Sequence, residues 1–267
     1  MNAEPQKLTV RVNERDDVSA LLYLAPKKNR AGITLILGHG AGAGQLSPFL
    51  RQFATGLAER GLDILTFNFL YMEQRRHVPD PGPKLESCYR SIIEAATKHK
   101  KLKGNQLAIG GKSMGGRIAS QVAAKLNSLE CGGLTPLSNL ELKTNSKSKP
   151  REFKKGGPPP DVDARPNIAG LVFLGYPLHP PGRPDKLRDA HLNQIKAPML
   201  FIQGSRDAFG STDEIRDVIK RLKLPATLHA IEGGDHSLKV PKSSYPPQLE
   251  VYDRVLDKIA SWTDDVS

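Results

Sequence analysis

Cysteine is nearly absent from this sequence, and long apolar runs are missing altogether. Two cysteines, Cys88 and Cys131, stand among 267 residues. So few, so far apart, make neither a disulfide framework nor the close spacing of a metal site. No stretch approaches the ~18 consecutive apolar residues of a membrane-spanning helix. Met1-Asn2-Ala3-Glu4-Pro5 lacks the charged-then-apolar layout of a secretory leader. These absences predict a cytoplasmic or nuclear protein without a membrane span, a metal or a cofactor. Acidic residues are the scarcer charge, 28 against 39 basic, for a formal net charge of +11. The excess reads as a solvated basic surface. Its densest clusters, Lys98–Lys103 and Lys143–Lys155, lack the series of interleaved aromatics that stacks on bases. No helix-turn-helix, zinc-finger or RNP-like pattern occurs, which argues against nucleic acid as the partner.

What is present is one stretch with chemical content, Gly111-Lys112-Ser113-Met114-Gly115. An apolar run, Gln106 to Ile109, leads into it with strand character. Ile118, Val122 and Leu126 lead out at helical spacing. A serine pinched between a strand and a helix sits on a tight turn that lifts its Oγ above the sheet edge. The flanking glycines let backbone pass close by without a Cβ clash.

The surrounding pattern alternates strands and helices. Lys7–Val12 and Ser19–Leu24 read as an antiparallel hairpin at a sheet edge. Ile33–Leu37 reads as a buried parallel strand, and Leu62–Phe69, Ile168–Leu174, Met199–Gln203 and Ala226–Ile231 follow as further strands. Ser47-Pro48 opens a helix, serine as N-cap and proline at the first position, with Leu50, Phe53, Ala54 and Leu57 inward and Gly61 as its stop. Lys84–His99, Thr212–Leu222 and Pro247–Trp262 read as further helices. The expected architecture is an α/β fold, a doubly wound, mostly parallel sheet with an edge hairpin, as a single domain over residues 1–267. One segment breaks the pattern. From Asn127 to Pro166 the chain is polar and rich in glycine and proline, and it reads as a long disordered, low-complexity basic insertion. Leu134–Leu142 is a candidate short helix within it.

Ligands of such sheets bind beyond the carboxyl ends of the strands, so the partners of Ser113 are expected in the strand-end turns. A serine hydroxyl needs a base to take its proton, and the base needs an orienting acid. His236, in the glycine-bearing loop after the last strand, is the expected base. His229, mid-strand, reads as structural. Asp207, in the turn after Met199–Gln203, is the expected acid, with Asp235 as its rival. The developing oxyanion needs two N–H donors. Met114 supplies one, and Ala41, or failing that Gly40, supplies the other from the loop Gly38-His39-Gly40-Ala41-Gly42-Ala43-Gly44. That loop lacks the spacing of a phosphate cradle. The rigid run Gly175-Tyr176-Pro177-Leu178-His179-Pro180-Pro181-Gly182 reads as a pocket wall or as a connector. His39, Tyr176 and His179 are the expected substrate-pocket residues. Cys88 reads as a small apolar packer.

Taken together, Leu37–Gly42, Gly110–Arg117, Phe173–Gly182, Gln203–Asp207 and Gly234–Ser237 resemble the dienelactone-hydrolase-like branch of the α/β-hydrolase superfamily. This branch holds testis-expressed hydrolase-like proteins and a scaffold subunit of a histone acetyltransferase complex. The resemblance spans the chain outside 127–166. It implies Ser113 as nucleophile, Asp207 as acid and His236 as base, and a serine hydrolase acting on a small-molecule ester or thioester. The scaffolding relative implies the alternative, an interaction module that recruits a protein partner through the basic insertion.

Overall fold

The computed structural model describes residues 4–131 and 166–266. The chain builds one eight-stranded sheet. Strands β1 (Gln6–Arg11) and β2 (Asp17–Tyr23) form the antiparallel hairpin, and β2 also pairs antiparallel with β4 (Asp63–Phe67). The rest are parallel: β3 (Ile33–Gly38), β4, β5 (Gln106–Lys112), β6 (Ile168–Leu174), β7 (Met199–Gly204) and β8 (Ala226–Ile231), in the spatial order β1-β2-β4-β3-β5-β6-β7-β8. The central strands are buried on both faces, which is why Ile33–Gly38 reads as a continuous apolar run instead of an alternation.

Six helices accompany the sheet among the described residues: α1 (Pro48–Glu59), the four-residue α2 (Leu70–Glu73), α3 (Gly82–Lys98), α4 (Met114–Cys131), α5 (Thr212–Leu222) and α6 (Gln248–Asp265). The apolar stripes of α1 and α6 bury Leu50, Phe53, Leu57, Val255, Ile259 and Trp262 against one face. Helices α3, α4 and α5 bury Ile92, Ile93, Ile118, Val122, Ile215 and Val218 against the other. Each fully buried side chain of this size contributes about 1.5–3 kcal/mol. Ser47 caps α1 as expected, its Oγ accepting from Leu50 N at 3.4 Å. Helix α5 opens on a capping box, with Ser211 and Glu214 exchanging hydrogen bonds.

One boundary moves. Helix α4 continues to Cys131, so its last five residues, Asn127–Cys131, fall within the segment expected as insertion. Residues 132–165, with the candidate helix at Leu134–Leu142, lie outside the described residues.

In-register pairing brings the carboxyl ends of β3, β5 and β6 level, with Gly38 beside Gly111 and Lys112 beside Leu174. The site described below hangs from that edge. Backbone passes close to backbone between β3 and the start of α4. A Cβ placed on Gly115 would lie 2.2 Å from Gly38 O and 2.9 Å from Gly38 Cα, backbone that cannot yield. A Cβ on Gly56 would meet only the tip of Leu256, at 2.5 Å. Gly115→Ala is therefore expected to cost at least ~3 kcal/mol. Gly56→Ala, relieved by side-chain motion and by better helix propensity, is expected to stay within ~1 kcal/mol of wild type. Urea unfolding of the two variants checks the contrast.

Candidate active site

Ser113 is the single residue between β5 and α4. Its φ of +52° is a left-handed value that an L side chain adopts at a cost of ~1–3 kcal/mol. Neighbouring backbone holds it there: Ser113 N donates to Leu174 O at 3.1 Å, and Arg117 N donates to Ser113 O at 3.1 Å. The buried Tyr89 hydroxyl clasps the strands below. It donates to Gly110 O at 2.7 Å, accepts from Gly110 N at 3.0 Å and lies 3.0 Å from Ile36 O. Burial pushes the Tyr89 phenol well above its ordinary range, so it stays protonated.

The expected partners converge on Ser113. His236 Nε2 lies 2.8 Å from Ser113 Oγ, and His236 Nδ1 lies 2.8 Å from Asp207 Oδ2. Asp207 is 4% exposed. Its Oδ2 also accepts from Gln203 Nε2 at 2.8 Å, and its Oδ1 accepts from Phe209 N at 2.8 Å. A carboxylate taking two such donors is acceptor-only, so His236 Nδ1 carries the proton and Nε2 is left to accept from the Ser113 hydroxyl. The Phe209 ring lies against the imidazole, centroids 4.2 Å apart.

Asp235, the rival acid, is turned away from His236. Its Oδ1 accepts from Ser237 N at 2.7 Å and Lys239 N at 2.9 Å and so shapes the loop that carries His236. His229 lies on the edge strand β8, outside the cluster. Two holding residues were not read from the sequence. Gln203, fully buried, donates to Asp207 and to Gly210 O (2.6 Å), and its Oε1 accepts from Tyr176 N at 2.8 Å. Lys112, the variable position of the serine motif, donates its Nζ to the carbonyl of His236. Burial lowers its ammonium to about 8. Neither type has a spacing signal; only the packing of three strand ends brings them to the cluster.

Ser113, Met114 and Ala41 line one cleft of about 260 Å³, together with Pro79, Asp80, Gly82, Leu85, Arg117, Pro177, Arg188 and Phe209. Gly40 runs beside the serine, where an added Cβ would lie 3.6 Å from Ser113 Cβ. The three expected pocket residues do not line this cleft. His39 is 1% exposed: its Nδ1 donates to Gly40 O at 2.8 Å and its Nε2 accepts from Phe69 N at 3.0 Å. It is a brace inside the glycine-rich loop. Tyr176 is fully buried and donates to Arg188 O at 2.9 Å. His179 is 5% exposed and bridges Pro180 O (2.8 Å) and Glu214 Oε1 (3.0 Å). In the Gly175–Gly182 run it is Pro177 that reaches the cleft, because the larger side chains around it turn into the core. Cys88 is buried as expected, and burial raises its thiol to about 12.

Residues 31–138 and 160–264 match the family described as "Alpha/beta hydrolase domain", and the chain belongs to that family. Solved structures share its fold. A dienelactone hydrolase from Anabaena variabilis is 20% identical with a TM-score of 0.62, over 98% of this chain and 97% of that one. A serine hydrolase from Xanthomonas campestris, described as lacking a lid, is 16% identical with a TM-score of 0.63, over 98% and 96%. The esterase domain of a Rhodothermus marinus protein is 11% identical with a TM-score of 0.63, over 99% and 100%.

The brace at His39 carries a pH dependence. Burial lowers its imidazole from 6.5 to about 4. The unfolded chain thus binds a proton between those values that the folded chain refuses, and stability falls as the pH drops through that window. The loss from His39 alone amounts to about 3 kcal/mol. His191, half-buried beside Arg117 and also lowered to about 4, adds in the same direction. Urea midpoints are expected to be flat above pH 7 and to fall steeply from pH 6.5 to 4.5, with a shallower fall in His39→Gln.

Proposed function

We propose that this alpha/beta hydrolase is a serine hydrolase that cleaves a small-molecule ester or thioester through an acyl-Ser113 intermediate. The observation that carries the reading is the unbroken hydrogen-bond chain from Ser113 Oγ through both nitrogens of His236 to Asp207, 2.8 Å at each link. The acid is buried and acceptor-only, which is what a general base needs behind it to become an imidazolium.

In the proposed reaction His236 Nε2 takes the Ser113 proton as Oγ attacks the acyl carbon. The carbonyl oxygen becomes an oxyanion that accepts from Met114 N–H, at the amino end of α4 where the helix dipole favours negative charge, and from Ala41 N–H, with Gly40 the second choice. Collapse of the tetrahedral adduct expels the alcohol or thiol, which takes the proton from His236. Water then attacks the acyl-enzyme by the same route, His236 acting first as base and then as acid. Gln203 and Lys112 hold Asp207 and the His236 loop in register, and Tyr71, whose hydroxyl donates to Ala41 O at 2.8 Å, holds the second donor loop. The cleft sits just below the ~300–1,000 Å³ of drug-sized ligand pockets, which favours a small substrate. The whole of 1–267 is read as one such domain.

A fluorophosphonate probe followed by intact-mass measurement tests the assignment. One adduct is expected on wild type, none on Ser113→Ala, and little or none on His236→Ala. Ester turnover by Asp207→Asn is expected to fall about 10³–10⁴-fold, since the wrong imidazole tautomer would face the serine. An unmodified wild type, or equal labelling of wild type and Ser113→Ala, would overturn the reading.

A further inference from the structure

The cleft beside Ser113 has a charge that the proposed acyl chemistry does not use. Arg117 and Arg188 both line it. Among the described residues, every other arginine is either exposed or ion-paired with a carboxylate. These two alone are half-buried without such a partner. Among the described residues Arg117 Nε is a buried donor with no acceptor, and its Nη1 has a long 3.4 Å contact to Gln121 Oε1. Buried donors in folded proteins are almost always satisfied, and a guanidinium N–H at a site wall that is orphaned among the described residues calls for an acceptor from beyond them. The two guanidinium groups also repel each other: burial first, then Arg188, lowers the Arg117 guanidinium from its ordinary value. A fold tolerates two unpaired like charges in one cleft most readily when an anion is to be held between them.

Position ties the pair to the chemistry. Arg117 lies four residues after Ser113 at the start of α4, and residues so spaced are neighbours on one helix face. Arg188 comes from the connector after β6, fastened where Arg188 O accepts from the Tyr176 hydroxyl and Arg188 N donates to Leu178 O at 2.8 Å. One carboxylate faces the same cleft. Asp80 Oδ1 is already held by Arg76 at 2.6 Å and Lys84 at 3.4 Å, so it leaves both arginines uncompensated. Its Oδ2 is buried and unpartnered among the described residues.

We propose that Arg117 and Arg188 form an oxyanion-binding subsite next to Ser113, so that the ester or thioester cleaved here carries a carboxylate or a phosphate. The proposal rests on Ser113 as nucleophile only for the word "cleaved"; the anion subsite stands on its own geometry. Guanidinium forks match both groups bidentately, and a substrate so anchored presents its acyl carbon to Ser113 in a fixed orientation.

The test compares kcat/KM for phenyl butyrate, 4-(butyryloxy)benzoate, 4-(butyryloxy)phenyl phosphate and monophenyl adipate, which place no anion, a carboxylate, a phosphate, or a carboxylate on the acyl side. Wild type is expected to prefer at least one anionic ester over phenyl butyrate by tenfold or more, and the preferred one identifies the anion. That ratio is expected to drop at least tenfold in Arg117→Gln and in Arg188→Gln, to drop less in the lysine variants, and to be unchanged in Arg90→Gln, an exposed arginine on α3. Preference for the neutral ester, or a ratio indifferent to both glutamine variants, would overturn the proposal. If wild type turns over none of the esters and takes no fluorophosphonate, the nucleophile reading fails instead. Calorimetric titration with benzoate and phenyl phosphate then decides the subsite. Saturable binding by wild type that is lost in Arg117→Gln/Arg188→Gln supports it, and no binding by wild type rejects it.

Discussion

Backbone passing against backbone at the carboxyl ends of β3 and β5 is the constraint from which the rest of the site follows. Gly38 lies so close to Gly111 and Gly115 that a Cβ on either would fall within 2.3 Å of its carbonyl oxygen. Only glycine at these positions lets α4 begin directly over the sheet edge. That start point puts Ser113 into a left-handed conformation and leaves its Oγ above the strands. The same closeness sets the glycine-rich loop after β3 alongside the serine, so that Gly40 and Ala41 border the cleft. Tyr89 stiffens the pair from beneath, spanning β3 and β5 with one hydroxyl.

Around this edge the fold spends buried polar groups on alignment. Asp207, His39, Gln203 and His179 are all at most 5% exposed, and each is satisfied within the chain. Burying such groups is favourable only when their hydrogen bonds are complete. Completeness makes them rigid: Gln203 links the Asp207 turn to the Tyr176 connector, and His39 links the loop after β3 to the start of α2. Arg117 Nε and Asp80 Oδ2 stand out against that background because they are buried at the cleft and lack partners among the described residues.

Much of this was legible in the primary structure. The helix Thr212–Leu222 and the strand Ala226–Ile231 were expected with the limits they have, because amphipathic spacing and turn residues mark both ends. Ser113, Asp207 and His236 were each expected to belong to one cluster, because each follows a strand and the carboxyl ends of parallel strands share an edge. The pocket was not legible. His39, Tyr176 and His179 are polar or aromatic residues next to strand ends, and in sequence they look like lining. They turn inward, where hydrogen-bond partners more than twenty residues away in the chain, Phe69, Gln203 and Glu214, receive them or their backbone. Pro177, Phe209, Arg117 and Arg188 line the cleft instead.

The sequence by itself determined the order of strands and helices, the strand-turn-helix at Ser113 and the pairing of that serine with His236 and Asp207 as its expected partners. Those features are written in local periodicity, in glycine and proline placement, and in residue types with few chemical roles. Tertiary structure alone decided which side chains face the cleft, which histidines are braces, and which arginines lack a partner. Facing and pairing depend on contacts between segments distant in the chain, and the sequence pattern of one segment holds no record of what another will place beside it.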